Sequence, residues 1–182
     1  MSPVQINNPG SPGPEDVDDP VDALLACHAR IREFTELSLR LAQTPARPGA
    51  ASAAAAAVVQ YFTEALPAHE ADEDLSLAPR LRAAHAPDDV LQALDVVSKQ
   101  HPDLDRVIAR ILPSWQAVAQ DERKLPALAE QMARSAERIA LMWTPHLTLE
   151  ESAIFPVART LLDGPVLLAI RNEMRERRNQ RF

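Results

Sequence analysis

Apolar residues recur three and four apart along four long stretches of this chain, the period of a helix that buries one face. The first stretch begins near Asp18 to Pro20, where acids and a proline suit a helix N-terminus. It runs through Leu24, Leu25, His28, Ile31, Phe34, Leu37 and Leu41 and stops in residues 44–49. The second passes from an alanine-rich run, residues 50–57, through Val58, Tyr61, Phe62, Leu66, His69, Glu73 and Leu77 to about Arg82. The third carries Val90, Leu94, Val97, His101, Leu104, Ile108, Ile111 and Leu112. After a polar turn at residues 121–124, the fourth carries Leu128, Met132, Ile139, Met142, His146, Glu150 and Ile154. Asp-Gly-Pro at residues 163–165 ends it, and a short fifth helix follows. Four long helices with short connections predict an all-α, up-down-up-down four-helix bundle.

Proline punctuates the pattern. Pro67 and Pro145 are expected to bend their helices just ahead of His69 and His146, and Pro102 to break or kink the third helix, which would put His101 at a helix start. The alanine run has high helix propensity and small side chains, so it predicts close helix contact.

Composition narrows the class. The chain has 182 residues, 46% apolar, with four glycines and 4% aromatics, so one domain with an aliphatic core is expected. Residues 1–17 hold four of the sixteen prolines and two of the four glycines and are read as a flexible arm. Residues 18–162 form the bundle, and residues 163–182 form a C-terminal helix with a basic tail. That tail is read as a solvated, cation-rich helix end. A net charge of -7 argues against a nucleic-acid partner. No apolar run is long enough for a membrane, no basic segment precedes an apolar run, and the single cysteine, Cys27, fits a reducing compartment; the expected location is the cytoplasm.

Chemistry enters through a repeat. Residues 69–79 read HEADEDLSLAP and residues 146–156 read HLTLEESAIFP, with histidine, glutamate, a second acid and proline at the same offsets. Residues four apart share a helix face, so His69 with Glu73, and His146 with Glu150, point into the bundle together. Neither glutamate has a lysine or arginine three or four residues away. A buried carboxylate without a partner is costly, and a cation removes the cost. Imidazole with carboxylate suits iron, manganese or zinc, and a carboxylate has two oxygens with which to bridge a pair of ions. His28 and His101 add one inward histidine to each remaining helix. His85 lies in a loop-like stretch and is set aside. Glu70 is read as solvated, Tyr61 as a core residue, Cys27 as a small buried residue facing away from His28, and Trp115 and Trp143 as core or interface.

These motifs resemble the hemerythrin-like, HHE cation-binding family, over about residues 18–162. The likeness rests on Cys-His-Ala-Arg-Ile around His28, the two repeat copies with their trailing prolines, and Gln100 with His101. It implies that Glu73 and Glu150 bridge two non-heme irons together with an oxo or hydroxo bridge, that His28 and His69 complete one iron, and that His101 and His146 complete the other. Oxygen-carrying hemerythrins have a second histidine four residues beyond the first in the third helix, where this chain has Asp105. The seventh ligand is therefore an aspartate or absent. The ligand set resembles that of di-iron proteins that repair iron centres and of hemerythrin-like iron and oxygen sensors, although the cysteine-bearing N-terminal domain of many repair proteins is missing. The reading that follows is a protein binding O2, NO or peroxide or sensing oxygen or iron. A di-iron oxygenase, peroxidase or repair enzyme is the second reading, and a zinc-bound or metal-free interaction protein the third.

Overall fold

The computed structural model describes residues 17–43 and 49–179, and the described residues are helical with short turns. Most of the arm assigned to residues 1–17, the stop in residues 44–48 and the last three residues of the tail lie outside them. Helix α1 spans Pro20–Gln43. Its start is built as the sequence predicts: Asp19 Oδ1 accepts hydrogen bonds from the backbone N–H groups of Val21 (2.8 Å) and Asp22 (3.0 Å), and Pro20 lacks the N–H that would otherwise be unpaired. Helix α2 covers residues 50–83, α3 Asp88–Gln120, α4 residues 125–161 after a 3-10 turn at Glu122–Lys124, and α5 Gly164–Asn179.

Each of the first four helices packs against its neighbours in sequence, and α4 packs back on α1. The alanine run does what its small side chains allow. Ala51, Ala54 and Ala55 are buried, and Ser52 hydroxyl, on the same stretch, reaches the Val118 carbonyl of α3 at 3.2 Å.

Two helices are not uniformly α. In α2 the α-helical segments Ala50–Gln60, Leu66–Ala71 and Ala78–Ala83 are joined by π-helical turns at Tyr61–Ala65 and Asp72–Leu77. In α4 a π turn at Glu150–Ile154 separates Leu125–Leu149 from Phe155–Leu161. Pro67, Pro79 and Pro156 each stand two residues beyond the end of a π turn. A proline ring collides with the carbonyl four residues earlier in a straight α-helix, and a turn widened to i→i+5 bonding draws that carbonyl aside. This explains the proline shared by the two sequence copies: it follows a widened turn that begins at, or one residue before, the glutamate.

Pro102 behaves differently from expectation. Helix α3 runs unbroken from Asp88 to Gln120 through Pro102 and Pro113, so His101 sits in a helix interior, not at a start. Ahead of His69, Pro67 is accompanied by the π turn at Tyr61–Ala65, and Pro145 lies inside an α-helical segment.

The apolar interior falls into two clusters. One contains Ile31, Val58, Phe62, Leu66, Leu104, Trp115, Met132, Trp143 and Leu147; the other contains Leu24, Leu77, Leu81, Val97, Leu94, Ile154, Phe155, Ile170 and Met174. On α1, α2 and α3 the chain passes from one cluster to the other across a histidine, and on α4 it does so just beyond His146, between Leu147 and Ile154, where Glu150 stands. The ionisable residues therefore form a layer between two cores, whose burial of apolar area must offset the cost of that layer.

Candidate metal centre

All six residues singled out in the sequence converge on this layer. His28, His69, His101, His146, Glu73 and Glu150 are each at most 5% exposed. Their ligand atoms gather in two groups that share Glu73: His28, His69 and Glu73, and Glu73, His101, His146 and Glu150.

The carboxylates straddle the histidines. Glu73 Oε1 lies 3.3 Å from His69 Nε2 and 3.6 Å from His28 Nε2, while its Oε2 faces His101 Nε2 at 3.5 Å. Glu150 repeats the arrangement, with Oε2 at 3.2 Å from His28 Nε2 and Oε1 at 3.3 Å from His146 Nε2. Two ligand atoms about 2.1 Å from one cation, at angles of about 90–110°, lie about 3.0–3.4 Å apart. The observed spacings fit that better than the roughly 2.7–2.9 Å of a charge-assisted hydrogen bond. Consistent with this, the Nε2 atoms of all four histidines and all four glutamate oxygens are buried without a hydrogen-bond partner. Buried polar atoms are seldom left so, and a converging set of them fits a cation.

The far sides of the rings are held. His28 Nδ1 pairs with Glu151 Oε1 at 2.8 Å, His101 Nδ1 with Asp74 Oδ2 at 2.9 Å, and His146 Nδ1 with Gln100 Oε1 at 2.9 Å. These oxygens can only accept, so Nδ1 carries a proton and the neutral ring turns the lone pair of Nε2 to the centre. The second acid of each repeat copy thus serves a histidine on another helix: Asp74 of α2 serves α3, and Glu151 of α4 serves α1. The sequence displayed those acids at matching offsets, but their partners lie across the bundle, beyond the reach of same-helix spacing. His69 differs, since its Nδ1 has no partner.

Without a cation the layer shares protons unevenly. Burial opposes charge on His28, but the carboxylates of Glu150 and Glu73 outweigh it and push the ring up to about 10. His101 also rises to about 10, burial being outweighed by Asp74 and Glu73. Burial lowers His69 to about 3 and His146 to about 4. Burial, with Glu73 beside it, raises Glu150 to about 8, whereas Glu73, despite its burial, is held well below the usual carboxylate range by His69, His101 and His28.

Several other expectations change. Asp105 is exposed and stands outside both groups, so the reading of it as a seventh ligand is not supported. Glu70 is buried rather than solvated, at 9% exposure, and its Oε1 has no partner. The basic tail, in its described part, is not solvated throughout. Arg177 Nη1 and Arg178 Nη2 hold the fully buried Asp72, the latter at 2.7 Å, and Arg177 Nη2 also reaches Ser76 Oγ at 2.5 Å. Cys27 is buried with Arg178 Nη2 at 3.7 Å from its sulfur, and burial pushes its thiol up to about 12. Tyr61 is a buried core residue stacked on Phe34, and Trp115 and Trp143 are also core.

Residues 19–158 match the model of the hemerythrin HHE cation-binding domain, and the chain belongs to that family. An uncharacterized protein of Haemophilus influenzae is 27% identical over 168 residues, which cover 88% of this chain and 91% of that protein. No solved structure matches significantly. Among the described residues, no helix is long and apolar enough to cross a membrane.

Proposed function

We propose that this chain is a non-heme di-iron protein, built as an up-down-up-down bundle, that binds O2, NO or peroxide or senses oxygen or iron. The observation that carries the reading is the straddling of Glu73 and Glu150, each with one oxygen toward each histidine pair. Glu73 and Glu150 would be shared between the ions, His28 and His69 would hold one, and His101 and His146 the other. When bound, such a pair supplies reversible electron exchange with a small ligand. The protein's own part is to fix ring tautomers through Asp74, Gln100 and Glu151 and to keep bulk water out.

Size supports a small ligand over an organic substrate. The cavity that touches Glu73 and Glu150 measures about 10 Å³, room for one water-sized group, and its other walls include Leu77, Leu94, Val97, Ile154 and Phe155. A larger groove exists, but none of the six residues lines it.

Metal content of protein made in iron-replete medium without a chelating tag, measured by inductively coupled plasma mass spectrometry, tests the proposal. A pair of irons per chain is expected, with NO changing the visible spectrum. A single zinc, or no metal, sinks it.

A further inference from the structure

A further group of acids stands beside His101, outside the His/Glu layer, and the register of α2 on α3 brings it together. Ser52 of α2 meets Val118 of α3, Asp74 meets His101 and Arg82 meets Asp95, so the α3 number falls as the α2 number rises and the two helices run in opposite directions. Glu70 lies one turn before Asp74. One turn beyond His101, on the facing helix, lies Asp105. Glu70 and Asp74 of α2 and Asp105 of α3 therefore share one seam. Their exposure is graded inward: Asp105 is exposed, the Asp74 side chain is 35% exposed, and Glu70 is 9% exposed.

Glu70 is the member that needs a partner. Its Oε1 is buried without one, which is rare for a buried polar atom. Burial pushes its carboxyl up to about 8; His101 opposes the rise, and Asp105, ahead of Glu73 and Asp74, reinforces it. No lysine or arginine is among these strongest neighbours, and Arg106, next to Asp105 in sequence, is engaged by Asp103. Asp74 spends Oδ2 on His101 Nδ1 at 2.9 Å and keeps Oδ1 to offer. A buried carboxylate facing other carboxylates is costly, and a cation shared among them removes the cost.

We propose that Glu70, Asp74 and Asp105 form an outer site for one divalent cation, separate from the His/Glu centre. Its donors are carboxylate oxygens alone, with water on the exposed side, so it suits a hard ion such as Mg2+, Mn2+ or ferrous iron better than zinc. The centre differs in that imidazole supplies much of its donor set. The second repeat copy carries Leu147 where the first carries Glu70, so the site occurs once in the bundle.

Titration of Mn2+ into the full-length, iron-loaded protein tests this, with free Mn2+ followed by electron paramagnetic resonance and iron content measured on the same samples. One Mn2+ per chain is expected to bind without displacing iron. Asp105→Asn, at an exposed position, and Glu70→Gln, close in shape to the residue it replaces, should each weaken that site by about tenfold or more and leave the iron content unchanged. No saturable binding, or binding matched by loss of iron, overturns the proposal. So does an affinity that ignores either substitution: indifference to Asp105→Asn would put the ion in the His/Glu layer, and indifference to Glu70→Gln would put it on the surface alone. Iron content decides the di-iron reading separately. In protein that holds no iron the parent should still bind one Mn2+ more than either variant, since neither residue belongs to the two central groups.

Discussion

The two repeat copies, residues 69–79 on α2 and 146–156 on α4, agree in the histidine, the glutamate, the second acid and the proline, and they part in charge at inward positions beside the ligands. One residue after the histidine stands Glu70 in the first copy and Leu147 in the second, both buried; three residues after it stand buried Asp72 and half-buried Leu149. The first copy faces α5, whose Arg177 and Arg178 take up the charge of Asp72, while Arg80 and Ser76 hold Glu173 of the same helix at 2.5 and 2.6 Å. In the second copy the counterpart, Leu149, packs instead on the apolar cluster of Leu77, Ile154 and Phe155. The near-twofold pattern therefore belongs to the metal layer, and it is broken one position away from the ligands, where α5 docks.

The largest effect should come from the shared carboxylates. Glu73 faces three histidines and Glu150 two, so Glu73→Ala should empty both halves of the centre, and Glu150→Ala should leave part of the metal behind. Metal content after desalting reads the difference, and equal retention of iron by either variant and the parent would refute the shared role. Next comes the asymmetry itself. Arg177→Ala with Arg178→Ala leaves Asp72 buried and unpaired, which should cost about 3–5 kcal/mol in urea unfolding. Adding Asp72→Leu, the counterpart of Leu149, should recover most of that loss. If the triple variant is no more stable than the double one, the arginines act through something other than Asp72.

The second acids rank below these. Asp74→Asn and Glu151→Gln each remove the charge that orients a histidine on a neighbouring helix, and metal affinity should fall about 10–100-fold for either. Competition with a chelator of known affinity measures it. Gln100→Ala should weaken the His146 half alone. A fall shared equally by the Asp74 and Glu151 variants would mean that the two copies do the same work despite their different surroundings. A fall confined to one would extend the asymmetry into the centre.

Much of this was legible before folding, because helix periodicity and i,i+4 spacing are local. They yield four histidines, two glutamates and the helices that carry them. What escaped was of two kinds. The trailing prolines of both copies were visible, but the widened turns that Pro79 and Pro156 follow depend on backbone carbonyls that a side-chain pattern does not display. Of the break or kink expected at Pro102, the break does not occur: α3 runs through the proline, since the surrounding helix packs on two neighbours and tertiary contacts override one missing N–H. The other kind is long-range pairing. Asp72 with Arg178, Asp74 with His101 and Glu151 with His28 join different helices, and their register is set only when the bundle closes.

Glu70 gives the smallest and most discriminating test of the asymmetry. Burial raises its carboxyl to about 8, a rise opposed by His101 and reinforced by Asp105, Glu73 and Asp74. The ordinary value, 4.5, applies when the chain is unfolded. Between those two values the folded protein holds a proton on Glu70 that the unfolded chain has released, so the folded state loses stability as pH rises through that window and levels off above about 8. Glu70→Leu puts the residue of the second copy, Leu147, into the first and removes the loss. The variant should gain about 1–3 kcal/mol near pH 9 and much less near pH 5, read as urea midpoints at matched metal content. A gain of the same size at both pH values would assign the effect to packing alone. A loss at both would mean that Glu70, left without a hydrogen-bond partner in the fold, has work to do beside His69 that leucine cannot take over.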